Sequence, residues 1–140
     1  MEALLYSTAR NAFADIFDAA VSNAPTRIAR RRSGEAVLIG RDDLLALTAP
    51  FSFSPAAYFE PDGVSIWLPE MDTWGHGADF EAARANLVDE VRRYIADYLA
   101  DERLRNAPNH RLHAPWVVRA MLLDDAQLAD ALFAQPPDAA

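Results

Sequence analysis

The spacing of apolar residues predicts an α+β fold in two parts, a small head over residues 1–49 and a larger body over residues 57–135. Three observations carry that expectation. Short alternating or continuous apolar runs, bounded by Gly and Pro turns, mark strands. Between them, residues 9–21 and 80–105 space their apolar side chains as helices do. Charge is also divided along the chain. Residues 1–49 carry six Arg against six acids, whereas residues 50–140 carry seven Arg against fifteen, so the body holds the whole net charge of −8.

In the head, Leu4-Leu5-Tyr6 reads as a short strand, and Ser7-Thr8 offers an N-cap for a helix carrying Ala9, Phe13, Ile16, Phe17, Ala20 and Val21. Asn23-Ala24-Pro25 ends it, with Pro supplying the break. Thr26–Arg30 alternates polar and apolar as a half-buried strand does. Ser33-Gly34 then makes a tight turn into a returning strand over 35–40. Arg41-Asp42-Asp43 opens a second short helix through Leu44, Leu45 and Leu47. The resulting order is β-α-β-β-α.

Residues 50–56 are expected to form a linker, with Phe51 and Phe53 packing among its prolines and serines. In the body, Pro61-Asp62-Gly63 joins Ala57-Tyr58-Phe59 to Val64–Leu68 as a β-hairpin. Met71 to Gly77 adds a short third strand. Asp79 caps one long helix, Phe80 to Arg105, which Asn106-Ala107-Pro108-Asn109 ends. Two short C-terminal helices follow at Trp116–Leu123 and Ala126–Phe133, with Asp124-Asp125 between them. Residues 136–140 are expected to fray.

Several classes of function are excluded at this level. A hydrophobic fraction of 51%, with seven Phe, four Tyr and three Trp, argues against a wholly disordered chain. The absence of Cys removes disulfides, thiolate metal sites and cysteine nucleophiles, and suits a reducing compartment. The first residues lack the basic and apolar pattern of a signal peptide, and no apolar run reaches the roughly 18 residues of a membrane span. A soluble, cytoplasmic protein with no membrane contact is expected.

Two constellations bear on function. In the first, Ser7, Thr8, Arg10 and Asn11 stand at the expected helix N-terminus, where free N–H groups favour phosphate. Arg30, Arg31 and Arg32 fall at a hairpin tip, where guanidinium groups can track a duplex backbone or simply keep the tip soluble. Residues 4–47 resemble, in order and spacing, the N-terminal domain of the Phd/YefM (prevent-host-death) antitoxins: strand, Ala-Arg helix, Pro, Ile-x-Arg strand, Gly turn, Ala-Val-Leu-Ile strand and acidic short helix. The resemblance implies a homodimer that binds operator DNA, with Thr8, Arg10 and Asn11 at the DNA and Arg30, Arg31 and Arg32 on phosphates. The chain departs from the family's usual one or two basic residues before the turn Gly, having three and then Ser33.

The second constellation, Asp62 through Ala83, resembles the antitoxin domain of the HicB type over about thirty residues. Together the two resemblances imply an antitoxin of a type II toxin–antitoxin system that autorepresses its operon. Its acidic body would cover a basic, RelE-like ribonuclease toxin, with Trp74, Asp97, Asp101, Asp124, Asp125 and Asp130 as the candidate contacts. An alternative is a stand-alone dimeric regulator with a ligand-sensing body. A third is a metal-dependent nuclease, because Glu70, Asp72, His76, Asp79 and Glu81 cluster in sequence. Asp79 and Glu81, however, are ordinary first-turn helix acids, and His110-x-x-His113 lies in an expected loop with no third ligand at a metal-site spacing. No metal, cofactor or catalytic residue is therefore assigned, and the protein is not expected to be an enzyme.

Overall fold

The computed structural model describes residues 2–134; the tail expected to fray, 136–140, lies outside the described residues. The chain divides into two compact units, residues 1–47 and 48–140.

The first unit is a three-stranded sheet, order β1-β2-β3, with helices between and after its strands. β1 (Leu4–Leu5) runs parallel to β2 (Thr26–Arg30), which pairs antiparallel with β3 (Gly34–Leu38). One helix was expected between β1 and β2, but two are present: α1 (Tyr6–Asn11) and α2 (Phe13–Val21), broken at Ala12. The expected cap is also corrected. Leu5 occupies the N-cap of α1 without a side-chain bond, so Ser7 and Thr8 lie inside the first turn. α2 ends because Asn23 takes a left-handed φ of 71°, letting the Ala24 N–H reach the Ala19 carbonyl at 2.9 Å; Pro25 lies beyond that turn. α3 (Arg41–Thr48) follows β3.

The core of this unit is small. Only Ala9, Ile16 and Ala20 are buried hydrophobics between residues 2 and 47, while Phe13, Phe17 and Val21 are 53%, 51% and 64% exposed. Those three recur every four residues, so α2 presents an apolar stripe to solvent.

In the second unit, β4 (Ala56–Glu60), β5 (Gly63–Leu68) and β6 (Thr73–Gly77) form an antiparallel meander with β6 at one edge. β5 alternates strictly: Val64, Ile66 and Leu68 are buried and the intervening residues are not. The buried face meets α4 (Phe80–Ala100), whose Ala83, Leu87, Val88, Val91 and Ile95 fill the core. Gly75 and Gly77 permit this approach. A Cβ on Gly75 would lie 2.6 Å from the Ala83 oxygen, and one on Gly77 would lie 2.3 Å from the Ala83 nitrogen.

The long helix stops sooner than its periodicity predicts. Asp101 takes an extended conformation, accepts from the Arg103 and Leu104 N–H groups, and starts α5 (Glu102–Asn106). A further helix, α6 (Pro108–Arg111), occupies the segment expected to be a loop. α7 (Ala114–Met121) and α8 (Asp125–Phe133) complete the core through Val117, Ala120, Leu128 and Leu132. Residues 51–54 are fastened to this unit. Phe53 is buried, the Trp116 indole N–H donates to the Ser52 carbonyl at 2.9 Å, and Arg119 donates to the Phe51 carbonyl at 2.6 Å.

Candidate nucleic-acid and partner interfaces

The basic residues of the first unit converge on a side chain that sequence reasoning did not single out. Arg30, at the end of β2, lies over the Tyr6 ring with its guanidinium carbon 4.8 Å from the centroid. Tyr6 also lines, with Arg10, Ala9, Phe13 and Ile28, a shallow cavity of about 230 Å³. Arg31 and Arg32 are exposed in the β2–β3 turn, where Arg32 has a left-handed φ of 67°. Arg27, also on β2, is tied to Glu35 across the hairpin. The structure thus brings α1 and the arginine tip together through Tyr6. The signal in the sequence was the aromatic just after Leu4-Leu5, which the β1–β2 register, Leu4 with Ile28 and Leu5 with Ala29, brings near Arg30.

One expectation about these residues needs correcting. Thr8 is in the first turn of α1, but Arg10 and Asn11 are in its last turn, because the helix ends at Asn11. The helix dipole therefore gives them no preference for phosphate; any phosphate contact by Arg10 is a matter of its own charge.

The acidic candidates of the second unit separate by what already occupies them. Asp101 caps α5 and Asp124 caps α8, the latter in a reciprocal capping box with Gln127. Asp125 pairs with Arg92 at 2.8 Å and Asp130 with Arg84 at 3.4 Å. Asp97 differs. Its carboxylate has no hydrogen-bond or ion-pair partner among the described residues.

Asp97 lines a groove of about 460 Å³ between α4 and the outer edge of β6, together with Trp74, Asp72, His76, Asn86 and Glu90. Trp74 is 42% exposed and sits among other rings, 6.0 Å from Tyr58, 6.0 Å from Trp67 and 6.2 Å from His76. Asp72, with a left-handed φ of 47°, accepts from the Trp67 indole N–H at 3.2 Å. The His76 N–H donates to the Asn86 side-chain oxygen at 2.8 Å. Arg93 pairs with Glu90 one turn away.

The clustered acids of residues 70–81 do not converge on a common point. Glu70 accepts from Ser54, Asp79 caps α4 by accepting from the Ala82 N–H, and His76 meets the Ser65 hydroxyl. Among the described residues, no group of three or more His, Asp or Glu could hold a metal ion. His110 and His113, expected in a loop, are instead placed by α6 and the start of α7. Their Nδ1 atoms lie 3.1 and 2.6 Å from the Tyr94 hydroxyl. Burial, and then the neighbouring His110, holds the His113 imidazole below its ordinary range. The Tyr94 phenol is pushed up to about 12, by burial first and then by Tyr98 and Asp72. No helix among the described residues is long and apolar enough to cross a membrane.

The fold is α+β in two units, with an arginine-tipped hairpin on one and an acid-lined, aromatic groove on the other. The chain belongs to the PHD-like family, antitoxins of RelE/RelB toxin–antitoxin systems, whose family model matches residues 1–133. A crystal structure of an antitoxin part of a proposed toxin/antitoxin system from Syntrophomonas wolfei subsp. wolfei has the same fold. The two superpose with a TM-score of 0.80 at 19% identity, over 94% of this chain and 96% of that one. No curated protein matches the chain significantly. The family implies a toxin as partner.

Proposed function

We propose that this antitoxin neutralises a RelE-like ribonuclease toxin with its second unit, and represses its own operon through a homodimer of its first unit in the cytoplasm. It acts by binding, without catalysis. The observation that carries the DNA half is the meeting of Arg10 and Arg30 at Tyr6, beside the exposed Arg31 and Arg32. Four guanidinium groups on one neutral unit suit phosphate contact, which supplies orientation and affinity more than sequence readout. The β1-α1-α2-β2-β3-α3 order supports a Phd/YefM reading in which the first helix is divided.

Support for the homodimer comes from the unfinished core. A unit that buries Ala9, Ile16 and Ala20 but exposes Phe13, Phe17 and Val21 lacks the apolar burial that a stable domain of its size requires. A second copy laid on the α2 stripe would supply it. Support for the toxin half is the concentration of acids in residues 50–140, complementary to a basic ribonuclease.

The test is a mobility shift on the chain's own promoter at two salt concentrations. Arg31→Ala and Arg10→Ala should each weaken binding and make the salt dependence shallower by about one ion. Unchanged salt slopes in both would refute the phosphate role. Deleting residues 1–49 should abolish DNA binding and spare toxin neutralisation in cells; loss of protection would show that the division of labour is wrong.

A further inference from the structure

We propose that the groove between α4 and the edge of β6 is where the toxin's basic segment seats, with one arginine or lysine on the Asp97 carboxylate and another on the exposed Trp74 ring. This rests on the antitoxin reading and specifies its contact.

Most of the acids are already committed. Of the five candidate aspartates, four serve the fold, as caps or as partners of α4 arginines. A toxin side chain that drew on any of these would share a carboxylate whose Oδ1 already serves the fold, and would find less unanswered charge there. Asp97 alone among them keeps its charge unanswered. It shares the groove with Asp72 and Glu90, while the single cation there, Arg93, is bound to Glu90. The groove is thus negative in balance and its occupant is cationic.

The aromatic wall supplies a second, independent preference. Trp74 projects from β6, and Tyr58, Trp67 and His76 around it fix the ring's orientation. The part of the Trp74 ring that stays exposed offers a guanidinium or ammonium group a surface to lie against. Trp and Tyr at the centre of a contact, ringed by polar residues, also mark the positions that carry most binding energy.

The strand edge makes the occupant extended. β6 is the outer strand of its sheet, and its His76 N–H points away from β5, where Asn86 already accepts it. The pleat turns the Trp74 N–H and C=O the same way, two residues earlier. A segment entering beside Trp74 can therefore pair with backbone at that point while its basic side chain lies on the ring. Exposed aromatics on a sheet face can also stack nucleic-acid bases, but the acids around Trp74 oppose phosphate.

The experiment uses the full chain and the purified basic toxin encoded beside it, with affinity measured by calorimetry at two salt concentrations. Trp74→Ala and Asp97→Arg should each weaken binding by about tenfold or more, and Asp97→Asn should also flatten the salt dependence. Asp89→Arg, an equal charge reversal at an exposed position of α4 outside the groove, should change affinity less than about twofold. Circular dichroism and melting of each variant separate loss of contact from loss of fold. As a readout free of substitutions, toxin should slow amide exchange at residues 72–76 in the unaltered chain. If the unaltered chain binds toxin while Trp74→Ala and Asp97→Arg bind equally well, or residues 72–76 stay unprotected, the groove is not the seat and the antitoxin reading stands. If the unaltered chain fails to bind, that reading falls and the groove with it. Trp74-dependent binding of single-stranded polyuridylate in place of toxin would assign the groove to nucleic acid and overturn the proposal.

Discussion

Tyr6 is the residue on which the basic cluster of the first unit depends, because Arg30 lies over its ring and Arg10 lines a cavity with it. An exposed cation–π contact of this kind contributes about 0.5–1 kcal/mol. Tyr6→Ala should therefore weaken promoter binding about two- to fivefold, while Tyr6→Phe, which keeps the ring, should not; a mobility shift measures both. A second residue-scale device lies in the other unit. The folded chain keeps His113 neutral, since its imidazole is held below the ordinary value of 6.5. That contribution to stability is present above pH 6.5 and is lost as pH falls through the depressed folded value. Tyr94 is the mirror case: its phenol stays neutral to about 12, so its contribution is present below pH 10 and is lost as pH rises toward 12. The melting temperature should fall from pH 7 to pH 5 and again above pH 10. His113→Gln should flatten the acid limb and Tyr94→Phe the alkaline one.

At the scale of elements, the pairing of α4 with β6 is the contact that shapes the second unit. Gly75→Ala would press a methyl group into the Ala83 carbonyl and the Leu87 side chain, neither of which can withdraw from a buried helix. The expected loss is about 1–3 kcal/mol, read from urea unfolding. The strands and hairpins of both units were legible in the sequence because their signals are local. The β5 alternation and the Pro61-Asp62-Gly63 turn sit within a few residues of one another. Helix boundaries were less legible. Ala12 has no breaking tendency of its own, so the α1–α2 division must be imposed by packing on the sheet. Asp101-Glu102, in contrast, is a start signal concealed inside a continuing apolar period. The groove was legible only in parts: Trp74 and Asp97 stand out singly, but the strand–helix packing that joins them is invisible without the fold.

For the whole molecule, the two units have unequal means of support. Residues 48–140 contain a continuous core from Phe53 to Leu132, including the segment that the sequence presented as a linker. Expressed alone, this fragment should unfold cooperatively at a temperature independent of concentration, as calorimetry would record. The first unit, with its exposed α2 stripe, should instead melt higher as concentration rises. Within the larger unit one guanidinium occupies a special position. Arg92 reaches from α4 to the Ala120 and Leu123 carbonyls at the end of α7 and to Asp125 at the start of α8. Because all three bonds end on one corner, that corner lifts as a piece or not at all. Substituting Arg92 with Met should leave the strands intact yet let thermolysin cut within residues 121–133 many times faster, since the protease acts on the briefly lifted form. The lifetime of the chain in a cell would then follow the frequency with which a single side chain lets go.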